Sequence, residues 1–498
     1  MSPADAAALR LRTNPASSPA GWLWTALGVV GIVMVSLATA LDMDGFLETG
    51  ASWWRPLVTL PGHALLLLAW WQLGPGWRRP LVTLTIWSAA LLAAPPLHSR
   101  DAWSYAAQGW LMNNGLDPYL VPSGDAGDAG LLVGIHWFET TSVYPPLSLE
   151  IFRAVSWLFG GDLWLSSVGM RLPNLVAMAV LAWCLPRLAR RVGVASSTVL
   201  WAGLLNPLVV IQWVGGIHND AVMVALVAVA FLVAHAPGWR GYRGMLAGGA
   251  VLGVAMLVKQ SAAVAGVAVV ALAWAAAAAG LEPRRRNWWA LARRAVAAGL
   301  VAVAVFVLVS LATGLGFGWR NPTAGSPLEA TSNSPISWVA SFTRFHELLS
   351  DETVITVFTT ISSALILVAT VWLLRRYGPH PPDDAGRPWV VAVGALLAFA
   401  LLGPATQPWY LTWAVPFVVL AHPRLRSQHL WLVVVCAASV IPALQDFMAP
   451  YYSMFLLAVP SWWLWRRLRR AATPVFPTPD QGLTSRGPRA DGRRDGLV

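Results

Sequence analysis

The stretch LVTLTIWSAALLAAPPLHSRDAWSY, residues 81–105, decides the fold. Its first part, 81–97, carries no charge and is about one hydrocarbon thickness long as a helix. It gives way at once to His98-Ser99-Arg100-Asp101, with Trp103 and Tyr105 just beyond. A charge-free run that ends in ionisable and aromatic side chains reads as a transmembrane helix arriving at one interface. The same junction recurs at Gly215-Gly216-Ile217-His218-Asn219-Asp220, ahead of the apolar run 219–236.

Working outward from these junctions, the whole chain has the composition of a multi-span membrane protein. Of its 498 residues 57% are hydrophobic and 11% charged, and the mean hydropathy is +0.58. A water-soluble core of this length does not need so much apolar surface. Hydropathy gives an all-α polytopic protein with about fourteen spans of roughly 15–22 residues. They fall near 21–41, 57–74, 81–97, 168–186, 196–213, 219–236, 244–258, 261–280, 295–316, 353–373, 388–404, 409–422, 429–446 and 451–467. The first run ends in Asp42-Met43-Asp44 rather than a small-residue cleavage site and is expected to be retained as a span.

Arginine sets the orientation. Arg78-Arg79, Arg190-Arg191, Arg240 with Arg243, Arg284 to Arg286, Arg375-Arg376, Arg424 with Arg426, and Arg466-Arg467 all fall on the side of the N-terminus. That side is cytoplasmic by the positive-inside rule, and both termini are expected there. The net charge of +11 is therefore topological, and nucleic acid is not an expected partner. Residues 147–160 must stay out of the count to keep this consistent. With Glu150 and Arg153 about a turn apart, they are expected to form a juxtamembrane amphipathic helix. The chain then divides into a cytoplasmic segment 1–20, a membrane domain 21–467 with outer loops 98–166 and 317–352, and a disordered cytoplasmic tail 468–498.

The conspicuous polar groups gather on the outer side. Asp101 is the candidate general base, because a carboxylate at a dehydrated interface is expected to gain proton affinity; a helix cap is the competing role. Loop 98–166 interleaves polar groups with flat rings, namely Tyr105, His136-Trp137-Phe138-Glu139 and Tyr144. That mixture suits a carbohydrate, whose hydroxyls need hydrogen-bond partners and whose C–H face packs on rings. Glu139 is a reserve base, and Asp117 before Pro118 is expected to be a turn residue.

Lys259 is the single lysine of the chain, beside the turn residue Gln260 at the outer end of a span. A cation there implies an anionic partner such as a lipid phosphate, with snorkelling as the alternative. His218, Asn219 and Asp220 are a thin set for a metal and suit hydrogen bonding to phosphate or sugar, or helix capping. Pro408-Trp409-Tyr410 adds an aromatic element at the same face. The two cysteines, Cys184 and Cys436, lie in apolar spans with no ligand spacing. No nucleotide-binding glycine loop is present.

The order of Gly115-Leu116-Asp117-Pro118-Tyr119, Tyr144-Pro145-Pro146-Leu147, Arg171-Leu172-Pro173-Asn174, Gly216-Ile217-His218-Asn219-Asp220 and Gln407-Pro408-Trp409-Tyr410 resembles the GT-C integral-membrane glycosyltransferases. Within them it is most similar to the actinobacterial polyprenol-phosphate-mannose-dependent α-1,6-mannosyltransferases of lipomannan assembly, over roughly residues 80–420. The resemblance implies an inverting transfer of mannose from polyprenyl-phosphate-mannose to a mannan or glycolipid acceptor on the outer face. Asp101 matches the outer-loop catalytic acid, and Lys259, His218 and Arg100 would face the donor phosphate. Tyr105, Trp137, Glu139, Tyr144, Asn219, Asp220, Trp409 and Tyr410 would line the sugar and acceptor. The donor carries no nucleotide and its phosphate a single ester charge, so neither a cofactor nor a divalent metal is expected. Asp101 lacks an adjacent second acid, and the early spans 21–74 lie outside the common module. An arabinofuranosyltransferase or another polyprenyl-phosphate-sugar transferase of the same class shares these features. A lipid-linked sugar flippase would instead place ionisable groups in mid-span.

Overall fold

The structure is a computed structural model, and it describes residues 19–43, 52–236, 243–278, 288–320, 333–378, 385–445, 450–472 and 474–476. Among these the regular structure is entirely helical. Six helices are long and apolar enough to cross a membrane: Pro19–Leu41, Arg55–Leu73, Leu163–Arg191, Trp289–Ala312, Asp351–Tyr377 and Leu425–Gln445. A seventh span results if Ser196–Gly203 and Pro207–Gly215, bent by 49°, are taken together. Their exposed faces are apolar. In Asp351–Tyr377 only 11% of the most apolar window is buried, an exterior that hydrocarbon accepts and water penalises.

The expected count of about fourteen spans is not reached by these helices. The runs at 81–97, 219–236, 244–258, 261–280 and 388–404 are shorter apolar helices. The run at 409–422 is two 3-10 segments, Pro408–Trp413 and Val415–Ala421. For 81–97, 196–213 and 409–422 the reason is local: prolines interrupt apolar sequence that a hydropathy window averages as continuous. Pro95-Pro96 follow the helix Pro80–Ala90, Asn206-Pro207 break the bent pair, and Pro408 and Pro416 open the 3-10 segments.

The last helix, expected to end near 467, continues through Arg469 and Arg470 to Ala471. Beyond it Val475 and Phe476 are buried, and both of their backbone N–H groups donate to Gln428 Oε1 at 2.9 Å. Of the expected tail, residues 468–472 and 474–476 are described; residues 473 and 477–498, like 1–18, lie outside the described residues.

Two features of the bundle position the site. The short helix Pro146–Leu158 buries Ser148, Leu149, Phe152 and Val155 on one face and exposes Trp157 and Leu158. Its first turn docks end-on, Leu147 N and Ser148 N both donating to Leu257 O. The second is the broken pair, whose Val210–Gly215 segment is π-helical, a form concentrated at functional sites. Two residues beyond it Ile217, a β-branched residue, is held at φ 62°, a conformation that costs on the order of 1–3 kcal/mol and persists only where its surroundings over-determine it. The helix Leu163–Arg191 runs from this region to Arg190 and Arg191 in its last turn. From Asn174 to Arg190 is about 24 Å at the helical rise, so the polar cluster and the arginines occupy opposite ends of the same helix.

Candidate active site

Asp101 is the first residue of helix Asp101–Asn113, and its side chain caps nothing. Ser99 Oγ takes the local role by accepting from Asp101 N at 3.2 Å. The carboxylate instead receives three side-chain donors from separate elements. Trp137 Nε1 donates to Oδ1 at 3.2 Å, Tyr105 OH to Oδ2 at 3.3 Å, and His218 Nδ1 lies 3.1 Å from Oδ2. A carboxylate only accepts, so Nδ1 carries the hydrogen of that last bond. Tyr144 OH donates in turn to Tyr105 OH at 3.3 Å, and Phe152 stacks on Tyr105 at 4.4 Å.

Burial by itself pushes the Asp101 carboxyl up. The hydrogen bond and charge of His218, the charge of Lys259 and the Trp137 hydrogen bond outweigh it, and the group sits below its ordinary value. The expected gain in proton affinity is therefore corrected: interface desolvation is real, but His218, the Trp137 donor and the nearby Lys259 cation win. Burial, then the Asp101 charge, holds Tyr105 and Tyr144 well above the usual phenol range, so both stay hydrogen donors.

Beside this dyad stands an ion pair. Lys259 Nζ reaches Asp220 Oδ1 at 2.9 Å and Oδ2 at 3.0 Å, and Trp413 Nε1 also donates to Oδ1. Asp220 opens helix Asp220–Ala234 without any side-chain cap bond from its N-cap Asn219, so neither residue plays the capping role. The ammonium lies 4.8 Å from the Tyr410 ring and 5.6 Å from that of Trp413, within cation–π range. The anion expected opposite Lys259 is thus supplied from inside the protein, with two of the three ammonium hydrogens committed to it.

Asn219 Nδ2 donates to Ser148 Oγ at 3.1 Å, and Ser148 Oγ to Val258 O at 2.7 Å. These bonds tie the loop helix to the turn that carries Lys259. Trp409 stacks on His218 at 3.9 Å, and Trp213 Nε1 donates to Thr412 Oγ1 at 2.9 Å. His218, the expected donor-phosphate residue, gives its Nδ1 to Asp101, and its Nε2 is buried with no hydrogen-bond partner among the described residues.

The structure therefore gathers Asp101, Tyr105, Trp137, Tyr144, His218, Asn219, Asp220, Lys259, Trp409 and Tyr410. It does not gather Glu139, which ends the short helix Ile135–Phe138 and is exposed. Arg100 is half-buried at the N-cap of the Asp101 helix, its aliphatic stem against Gly134. Asp117 is the expected turn residue and accepts from Tyr119 N at 2.8 Å. Ser148 and Trp413 are site residues with no signal in the sequence; Trp413 is one of 30 tryptophans. Among the described residues no three metal-ligating side chains converge.

A carboxylate–histidine pair and a lysine–aspartate pair, both walled by rings and set among apolar helices long enough to cross a membrane, form one polar cluster in a membrane protein. Residues 20–278 match the model of the alpha-(1->6)-mannopyranosyltransferase N-terminal domain, and residues 336–462 that of the MptB C-terminal domain. The chain is 30% identical to alpha-(1->6)-mannopyranosyltransferase A of Mycobacterium tuberculosis, over 94% of both proteins. It is 28% identical to alpha-(1->6)-mannopyranosyltransferase A of Corynebacterium glutamicum, over 71% of this chain and 72% of that one. The chain belongs to the alpha-(1->6)-mannopyranosyltransferase family.

Proposed function

We propose that this mannosyltransferase moves mannose from polyprenyl-phosphate-mannose to a mannoside or glycolipid acceptor, with inversion, at the outer face of the plasma membrane. The observation that carries the reading is the Asp101 carboxylate, oriented by Tyr105, Trp137 and His218 in a chain of this family. Asp101 takes the proton of the acceptor hydroxyl. The acceptor oxygen bonds to the anomeric carbon as the carbon–oxygen bond to phosphate breaks, and polyprenyl phosphate departs with the electron pair. The third hydrogen of Lys259, with Arg100, stabilises that phosphate as charge develops. Tyr410 and Trp409 offer ring faces to the sugar. No nucleotide, cofactor or divalent metal takes part.

The arginine loops support an outward site with both termini cytoplasmic. The shorter apolar helices and the 3-10 segments complete a GT-C bundle of about fourteen membrane segments, within which membrane lipids surround the donor's chain. The test is transfer of radiolabelled mannose from polyprenyl phosphate to a short α-mannoside in membranes carrying this chain, beside Asp101→Asn. A loss of about 10²–10⁴-fold in the variant at equal protein level is the expected result. Activity retained in Asp101→Asn removes Asp101 as the base, and transfer only from a pentose donor replaces mannose.

A further inference from the structure

Arg171 is 1% exposed, and among the described residues it has no carboxylate partner. A buried guanidinium is costly unless its donors are met. Here backbone carbonyls from two separate segments meet them. Nε donates to Val214 O at 2.8 Å, Nη2 to Pro95 O at 3.1 Å and Gly215 O at 3.5 Å, and Nη1 to Leu92 O at 3.4 Å. Val214 and Gly215 end the π-helical segment, and Leu92 and Pro95 follow the helix Pro80–Ala90. Val214 O and Gly215 O lie at the C-terminal end of the π-helical segment, where partial negative charge suits a cation. Leu97 N donates to Gly215 O at 3.0 Å and closes the same junction. One segment runs on to Asp101 and the other to His218.

Asn174 lies one turn after Arg171 on the same helix. Its Nδ2 donates to Trp213 O at 2.8 Å and His218 O at 3.1 Å, bracketing Ile217, whose left-handed backbone needs such support. Resting on the reading of Asp101 as base, we infer that Arg171 and Asn174 are positioning residues: they lock the two loops together so that His218 meets Asp101. A guanidinium is required because its planar fork spans both segments at once, whereas an ammonium is a point donor.

The test compares Arg171→Lys, Asn174→Ala, His218→Ala and the double Arg171→Lys/His218→Ala in the full chain, in the transfer assay across pH. The groups facing Asp101 are His218, Lys259, Tyr105 and Tyr144, with Asp220 behind Lys259 and Arg100 adjacent in sequence. Arg171→Lys is expected to lower kcat by about tenfold or more with donor KM within about threefold. Its acid limb moves to higher pH as the loosened His218 ceases to hold the carboxyl down. His218→Ala gives the same shift, and the double variant shifts no further, because one contact is lost by two routes. A lowered kcat with an unmoved acid limb, additive shifts in the double, or a KM effect alone overturns the inference. If Arg171→Lys does not accumulate, Asn174→Ala carries the same comparison. Retention of activity in Asp101→Asn is a separate result that overturns the base and leaves the clamp's effect on kcat to be read alone.

Discussion

Replacing Lys259 by Met should destabilise the protein far more than a surface lysine would. Asp220 is fully buried and the Lys259 side chain only 15% exposed, so solvent screens the pair little. At a separation of about 3 Å and an effective dielectric of about 20, the attraction is roughly 5 kcal/mol before desolvation is subtracted. Removing the ammonium leaves a buried carboxylate with the Trp413 indole N–H as its remaining side-chain donor among the described residues, and a loss of about 3–5 kcal/mol is expected. Asp220→Asn should cost less, about 2–4 kcal/mol, because the stranded ammonium keeps the Tyr410 and Trp413 rings. The double variant Lys259→Met/Asp220→Asn should fall short of the sum by about 2 kcal/mol or more. The assay is denaturant titration in mixed micelles followed by tryptophan fluorescence, with mannosyl transfer measured on the same preparations. Strict additivity would refute the coupled pair. Recovery of folding without recovery of transfer is the outcome expected if the ammonium also faces the leaving phosphate, and full transfer in the double variant would make Lys259 structural alone.

Glu139→Gln should leave transfer within about twofold, since Glu139 is exposed and outside the cluster; an exposed substitution of this kind has no named route to a large effect. Tyr105→Phe removes one donor from the Asp101 carboxylate. Such donors favour the charged form, so the carboxyl rises, and the acid limb of kcat/KM moves to higher pH with activity at low pH lost first. An unchanged limb in Tyr105→Phe would argue that another group titrates. Chelation with EDTA should leave the initial rate unchanged, and restoration by added Mg²⁺ or Mn²⁺ after a loss would establish a metal requirement.

The sequence alone determined the membrane class and the site's neighbourhood. Apolar runs of bilayer length cannot be placed in water, and arginine at one set of loops fixes a side, so Asp101, His218, Asp220 and Lys259 could be placed at a common face from hydropathy and charge. The tertiary structure decided what these groups do to one another. Hydropathy counts apolar residues without regard to breaks, and so it read the two 3-10 segments near Pro408 and Pro416 as one continuous helix. Pairing is a matter of distance across the fold. Lys259 finds Asp220 39 positions away, and His218 finds Asp101 117 positions away, which pairs the expected phosphate ligand with the carboxylate proposed as base. The same reasoning accounts for Asp101's lowered proton affinity, because desolvation is visible in a run of apolar residues and the donors that offset it are not. Arg171 and Asn174 could be singled out as a motif in the sequence. Their carbonyl partners are backbone atoms, which every residue possesses, so only the folded chain reveals which ones they hold.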